Sequence, residues 1–378
     1  MRSATSSTSL GASLLLALAL TACAAQPGGA DLAPAGGELG APRDLSSGAD
    51  QSSAPDLMSD PQDCLPREEG DLTQRVMAEP FAGRNGPAQM TVVPRGSAVW
   101  EAGRSAALAW ARGDCPAFLG AAQQMGYRAV SLRDSATGQR HWLLTDAGGA
   151  QGRYNGVFAF RHPAERDAAR PLVIDAPHRG YDWNDDRAVR AYRQTDAVAF
   201  LQNTAHRCNL ADCSGCSAVQ SYPCGCERES DVVHSTNHLY YAVYDGLESA
   251  RDDLHLEYHG AAASANAAGC VGTAHVSQAS SQKLSAAQDD GTYPNRFWQA
   301  LQRRLGDTCV CYHQRETGCQ LNGFASTCGR RTNQEAGAAV DTCTTGPAGL
   351  ARRFVHFEAY NVSPDDVIAA LQEAIPVR

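Results

Sequence analysis

Where the cysteines fall constrains this chain more than any other feature of its sequence. Fourteen occur in 378 residues, unevenly spread. Cys23 stands directly behind a short apolar run, and Cys64 and Cys115 are each alone in their regions. Five lie between Cys208 and Cys226, Cys270 is isolated, and five more lie between Cys309 and Cys343. Met1-Arg2 followed by the apolar run 10–20 has the make-up of an export leader, too short to span a bilayer as a permanent helix. Export implies an oxidising compartment, where cysteines pair. Setting Cys23 aside leaves thirteen, which predicts six bridges and one free thiol with the pairing open. Cys64 with Cys115 is the one pair the spacing singles out. A competing reading takes Cys208, Cys213, Cys216, Cys224 and Cys226 as a structural zinc knuckle, because C-x2-C suits one corner of a tetrahedral site.

The apolar run ends in Leu20-Thr21-Ala22-Cys23, which resembles the lipobox of bacterial lipoproteins. The resemblance implies a signal peptide over 1–22 and an acylated amino terminus at Cys23. It also implies anchoring to a membrane of the bacterial cell envelope, on the extracytoplasmic side, without a transmembrane helix. Residues 23–61 then form a linker: from 24 onward they are dominated by Ala, Gly, Pro, Ser and Asp and hold no aromatic residue, so they bury too little apolar surface to offset ordering. A net charge of -9, from 32 basic and 41 acidic residues, argues against nucleic acid as a partner.

The remainder is long enough for a sizeable core. Apolar residues at helical spacing over 98–112 and 115–125 predict a helical pair. Alternation over 128–134, 140–146 and 154–161 predicts three strands. These make a small α+β amino-terminal region over 62–165. From 166 to 378 the pattern changes. The near-continuous apolar run 171–176 reads as a strand covered on both faces, helical pattern follows through 186–202, and then comes the first Cys-rich excursion. A helix over 236–250, a strand over 254–259 and a helix over 295–305 precede the second excursion. A strand over 353–358 and a helix over 364–375 close the chain. Such alternation predicts an α/β domain with an open mixed, mostly parallel sheet flanked by helices, carrying Cys-rich insertions stapled by disulfides.

Three predicted strand ends deliver polar residues of the metal-site type. The first runs into His178 and Asp182, the second into His259, the last into Glu358. Residues just past neighbouring parallel strands line one crevice, so His178, Asp182 and His259 can meet as two imidazoles and a carboxylate around one zinc ion, with a position left for water. Glu358 is then the candidate general base. Arg207 is a candidate for holding a substrate carboxylate or stabilising a developing oxyanion. Asp231 and His234 are candidates to orient a ligand imidazole, or else belong to a helix start with His238. His356 lies two residues before Glu358, on the same strand face, and no role is assigned to it.

The segments PHRGYD (177–182), NTAHR (203–207), SDVVHS (230–235), EYHG (257–260) and FVHFEAY (354–360), in this order, resemble the zinc carboxypeptidase and N-formylglutamate amidohydrolase group of metallohydrolases. The resemblance spans about 171–378. It implies a zinc carboxypeptidase-like fold, zinc on His178, Asp182 and His259, and Glu358 in catalysis, with Asp182 where Glu is more usual. The implied activity is hydrolysis of amide or peptide bonds in a peptide, an acyl-amino acid or a cell-wall fragment. VIDAPHRG is also similar to the opening of the zinc N-acetylmuramoyl-L-alanine amidases, a version that would need Asp196 as a ligand. The alternatives are a non-catalytic disulfide-rich surface binding lipoprotein and a redox or metal-carrying lipoprotein built on the cysteines.

Overall fold

The computed structural model describes residues 64–377 apart from 183–184, 217–223, 320, 322, 335–341 and 344–348. The expected leader, the acylation site Cys23 and the linker lie outside the described residues. Ten strands form one mixed sheet: β1 Arg67–Gly70, β2 Tyr127–Asp134, β3 Arg140–Asp146, β4 Val157–Arg161, β5 Arg170–Ala176, β6 Ala197–Gln202, β7 Leu254–Gly260, β8 Thr273–Ser277, β9 Val310–Tyr312 and β10 Phe354–Tyr360. Their order is β1-β2-β3-β4-β6-β5-β7-β10-β8-β9. The four central strands β6, β5, β7 and β10 run parallel to one another. β8 turns antiparallel to β10 at one side, and the β2-β3-β4 meander pairs antiparallel to β6 through β4 at the other. The strands expected for a small amino-terminal region are thus hydrogen-bonded into the same sheet as those that follow 166.

Six longer helices cover the sheet: α1 Ala98–Arg112, α2 Cys115–Met125, α3 Asp185–Thr195, α4 Leu239–Ala250, α5 Tyr293–Leu305 and α6 Pro364–Ala374. The two-residue period of the strands sends alternate side chains to opposite faces, and two apolar cores result. On one face Val173, Leu201 and Phe160 pack with Trp110, Phe118 and Tyr244 from α1, α2 and α4. On the other, Ile174, Leu256 and Phe357 pack with Tyr192, Phe297 and Leu371 from α3, α5 and α6. Close contact of α1 with α4 depends on Gly246, where a Cβ would run into the backbone oxygen of Arg104.

The expected helix over 186–202 is corrected. Helix α3 stops at Thr195, Asp196 takes a left-handed conformation with φ 58°, and residues 197–202 are a central strand. Every residue of this strand is buried, so it carries no alternation, and a short apolar run of that kind has no period to separate it from a continuing helix.

Six disulfides join described cysteines: Cys64–Cys115, Cys208–Cys224, Cys213–Cys226, Cys216–Cys343, Cys270–Cys309 and Cys311–Cys319, leaving Cys328 as a buried free thiol. The zinc-knuckle reading is thereby corrected, because all five cysteines of the first cluster are engaged in bridges. No helix among the described residues is long and apolar enough to cross a membrane.

Candidate metal centre

The site lies at the carboxyl ends of the central parallel strands, where an open α/β sheet presents its loops. Beyond β5 the chain turns back at once: the amides of Tyr181 and Asp182 both donate to the carbonyl of His178, at 3.1 and 3.2 Å. Gly180 makes this turn possible. Its φ is 71°, and a Cβ there would come within 2.6 Å of the Phe81 ring. Arg179 ties the turn down by donating to the carbonyls of Glu79 and Met77, at 3.0 and 2.8 Å. On β7 the alternation sends Leu254, Leu256 and Tyr258 into the core shared with α5 and α6, so His255, Glu257 and His259 all take the opposite face. His356 and Glu358 take the same face of β10, whose register sets Glu358 beside His259.

These elements bring His178, Asp182 and His259 together. His178 Nδ1 is 3.1 Å from Asp182 Oδ2, His259 Nδ1 is 2.9 Å from the same oxygen, and the two Nδ1 atoms are 3.1 Å apart. The far nitrogen of each ring faces a buried carboxylate: His178 Nε2 lies 2.9 Å from Asp231 Oδ1, and His259 Nε2 lies 3.0 Å from Glu257 Oε1.

Both of those carboxylates are ionised. Burial raises the Asp231 carboxyl, but Arg207, His234 and His178 outweigh it and hold the group well below the usual range. Burial likewise raises Glu257, and the hydrogen bond and charge of His259, with His356 and Ser326, bring it below. An ionised carboxylate only accepts, so Nε2 of each ring donates its proton outward and each Nδ1 is turned toward Asp182 Oδ2. With both Nδ1 atoms unprotonated all three groups would be acceptors, and such a cluster requires a positive charge at its centre.

The requirement is visible in His259, which Asp182 and Glu257 push well above its ordinary pKa although burial alone would lower it. A proton can answer this demand; a metal ion answers it better, because all three donors then bind at once. Zinc held at its usual bond lengths by N and O donors places tetrahedral ligands about 3.3 Å apart, close to the spacing found here. Two imidazoles and a carboxylate, each imidazole backed by a carboxylate, are a donor set of catalytic zinc sites. The residues present fit the ion.

A cavity of about 480 Å³ opens over this triad. Glu358 lines it, and burial raises its carboxyl above the usual range although His259 pulls it down. His356 Nε2 stands 3.5 Å from Glu358 Oε1. Arg207 lines the cavity too, is only 5% exposed, stacks over Tyr181 at 5.0 Å and is ion-paired with Asp231. His234 also lines the cavity, with Nδ1 3.1 Å from Asp231 Oδ2. His238 stands apart from it as the N-cap of α4, its Nδ1 accepting from the Tyr241 amide at 2.9 Å. Asp196 lies at the opposite end of β6, bound to Arg161 and to Gln139, so the amidase-like ligand set that would need it is corrected.

Three residues that sequence reasoning passed over belong to the site. Glu257 was legible as the residue two before His259 on a strand, hence on its face. Ser326 donates to Glu257 Oε2 at 2.7 Å from a distant segment, and Glu227 reaches the cavity from the first Cys-rich insertion. Neither carries a local sequence signal.

No family model and no curated protein matches this chain. Among solved structures, a protein from Shewanella denitrificans OS217, described provisionally as a metallopeptidase, aligns with 69% of this chain and 87% of its own at 12% identity, with a TM-score of 0.26. A likeness of that size carries no argument for fold or function, so the reading below rests on the site itself.

Proposed function

We propose that the protein is a zinc-dependent hydrolase of amide or peptide bonds, acting on a peptide, an acyl-amino acid or a cell-wall fragment. In this reading it works outside the cytoplasm of a bacterium, held to the cell envelope by an acylated Cys23. The disulfides favour the extracytoplasmic setting. One observation carries the catalytic reading: His178 Nδ1 and His259 Nδ1 converge with Asp182 Oδ2 beneath an open cavity.

A zinc ion held there by His178, Asp182 and His259 would supply Lewis acidity, polarising the scissile carbonyl and acidifying a water. The chain does the rest. Asp231 and Glu257 keep the proton on Nε2 of each ligand histidine, so both Nδ1 atoms stay available. Glu358 Oε1 takes the proton of the attacking water and returns it to the departing amine nitrogen, and the raised carboxyl suits an acid–base group that must do both. Arg207, neutralised by Asp231, fixes that carboxylate and lines the cavity over Tyr181.

The test is metal analysis of the purified full chain after zinc loading, beside His259→Ala and Glu358→Gln, with an amidase and peptidase substrate screen. One zinc per chain is expected, lost in His259→Ala and kept in Glu358→Gln, while Glu358→Gln lowers turnover by about 10²-fold or more. Zinc retained in His259→Ala would move the metal elsewhere, and full turnover in Glu358→Gln would remove that residue from the mechanism.

A further inference from the structure

The proposed chemistry uses Asp182, Glu257 and Glu358 but leaves one cavity carboxylate without a task. Glu227 lines the cavity on the side of His234 and Arg207, is 3% exposed, and points Oε1 at His234 Nε2 across 3.3 Å. Its other oxygen, Oε2, is buried without a hydrogen-bond partner among the described residues. A buried carboxylate oxygen left without a donor is costly, and burial indeed pushes the Glu227 carboxyl above its usual range. The two guanidiniums that act on it are engaged elsewhere: Arg207 with Asp231, and Arg330 with the carbonyls of Phe324 and Cys343.

The position of Glu227 is built, not incidental. It follows Cys226 directly, Cys226 is bridged to Cys213, and the Glu227 carbonyl accepts from the Ser214 amide at 2.7 Å. A second bridge, Cys208–Cys224, braces the same insertion. Around the cavity Arg207 is the single arginine or lysine against Asp182, Glu227, Glu257 and Glu358 among the described residues. The ion in the centre and the base account for three of those carboxylates.

We infer that the substrate carries a positively charged group, an alkylammonium or a guanidinium, which Glu227 receives at the His234 end of the cavity. This rests on reading the cavity as a hydrolase site, and it narrows the substrate class to cationic peptides or acyl-amino acids. A cation arriving there meets the Glu227 carboxylate at the cavity wall and balances the surplus negative charge. His234, between Asp231 and Glu227, positions the carboxylate.

The test is equilibrium binding by calorimetry to the zinc-loaded full chain, using two probe pairs, one near-isosteric pair that differs in side-chain charge and one in which acetylation removes the charge of the amino terminus. The first is N-acetyl-L-argininamide against N-acetyl-L-citrullinamide; the second is L-alaninamide against N-acetyl-L-alaninamide. In at least one pair the cation should bind roughly ten- to a hundredfold tighter. Glu227→Gln should abolish that preference, while Glu227→Asp, which keeps the charge, should retain part of it. Equal binding within both pairs by the unaltered protein, or a preference that survives in Glu227→Gln, would overturn the inference. Zinc stoichiometry is measured on the same samples, so failure of the metal reading shows there, and cation preference shows separately with or without the metal.

Discussion

Replacing Glu257 by Gln isolates the part of the centre that most distinguishes a metal site from a cluster of buried histidines. The side chain is 1% exposed and bonds twice, to His259 Nε2 at 3.0 Å and to Ser326 Oγ at 2.7 Å. Glutamine has the same shape, so no cavity opens and the packing of β7 is kept. What changes is the charge behind the ligand imidazole. A hydrogen bond to a charged group contributes about 1.5–3 kcal/mol and a neutral one about half of that, so the pull on the Nε2 proton falls by about 1–1.5 kcal/mol. That predicts zinc binding roughly tenfold weaker, at the lower edge of the 10–100-fold cost known for partners of ligand histidines. Competition with a chromophoric chelator at neutral pH measures the change, and thermal melting of the metal-free proteins checks that the variant is folded. An affinity unchanged within about twofold in a folded variant would refute the reasoning, since His259 would then not be a ligand whose basicity Glu257 sets. Asp231→Asn is the less clean experiment, because Asp231 also holds Arg207 and its loss leaves a buried guanidinium unpaired.

Two further outcomes concern stability. Burial lowers the pKa of His238 to about 4, and the ring is held neutral by accepting from Tyr241 and donating to Ser235. With an unfolded value of about 6.5, its contribution is complete above that pH and is lost as pH falls toward 4, by about 3 kcal/mol in all. Denaturant unfolding of His238→Asn, which can still cap α4 through its side-chain oxygen, should show that much less acid destabilisation between pH 7 and 4; parallel curves would refute it. The Cys64–Cys115 bridge closes a sequence separation of 51 residues, and chain-entropy arguments give about 4 kcal/mol for a loop of that size. Replacing both cysteines by alanine should lower the unfolding free energy by about 2–4 kcal/mol without changing zinc stoichiometry, and an unchanged denaturant midpoint would count against it.

The sequence exposed those parts of the molecule whose signals are local. Helices α1, α2, α5 and α6 follow from apolar spacing, and the strand leading into His178 and the strands carrying His259 and Glu358 follow from apolar runs bounded by polar residues. Strand β6 was hidden because a strand buried on both faces, following a helix directly, has no period of its own. Strands β1, β8 and β9 are short, and no turn residue marks where they pair. Within the site, the separation of four between His178 and Asp182 and the strand-end position of His259 could be read directly. The contact of His178 with Asp231 spans 53 residues and depends on a Cys-rich segment whose course no period encodes. The isolation of Cys64 and Cys115 pointed to one bridge, whereas Cys216–Cys343 crosses between the two clusters at a separation of 127.

The sheet runs without a break from β1 to β9, and its hydrogen bonding passes through the strands that present the ligands. Among the described residues, a body made this way has no seam about which two halves of the sheet could swing, so hinge bending across the sheet is foreign to it. Among the described residues, the cavity is bounded by strand ends and by segments tied down with disulfides. Selectivity in such a molecule is exercised at the doorway, by shape and charge set during folding.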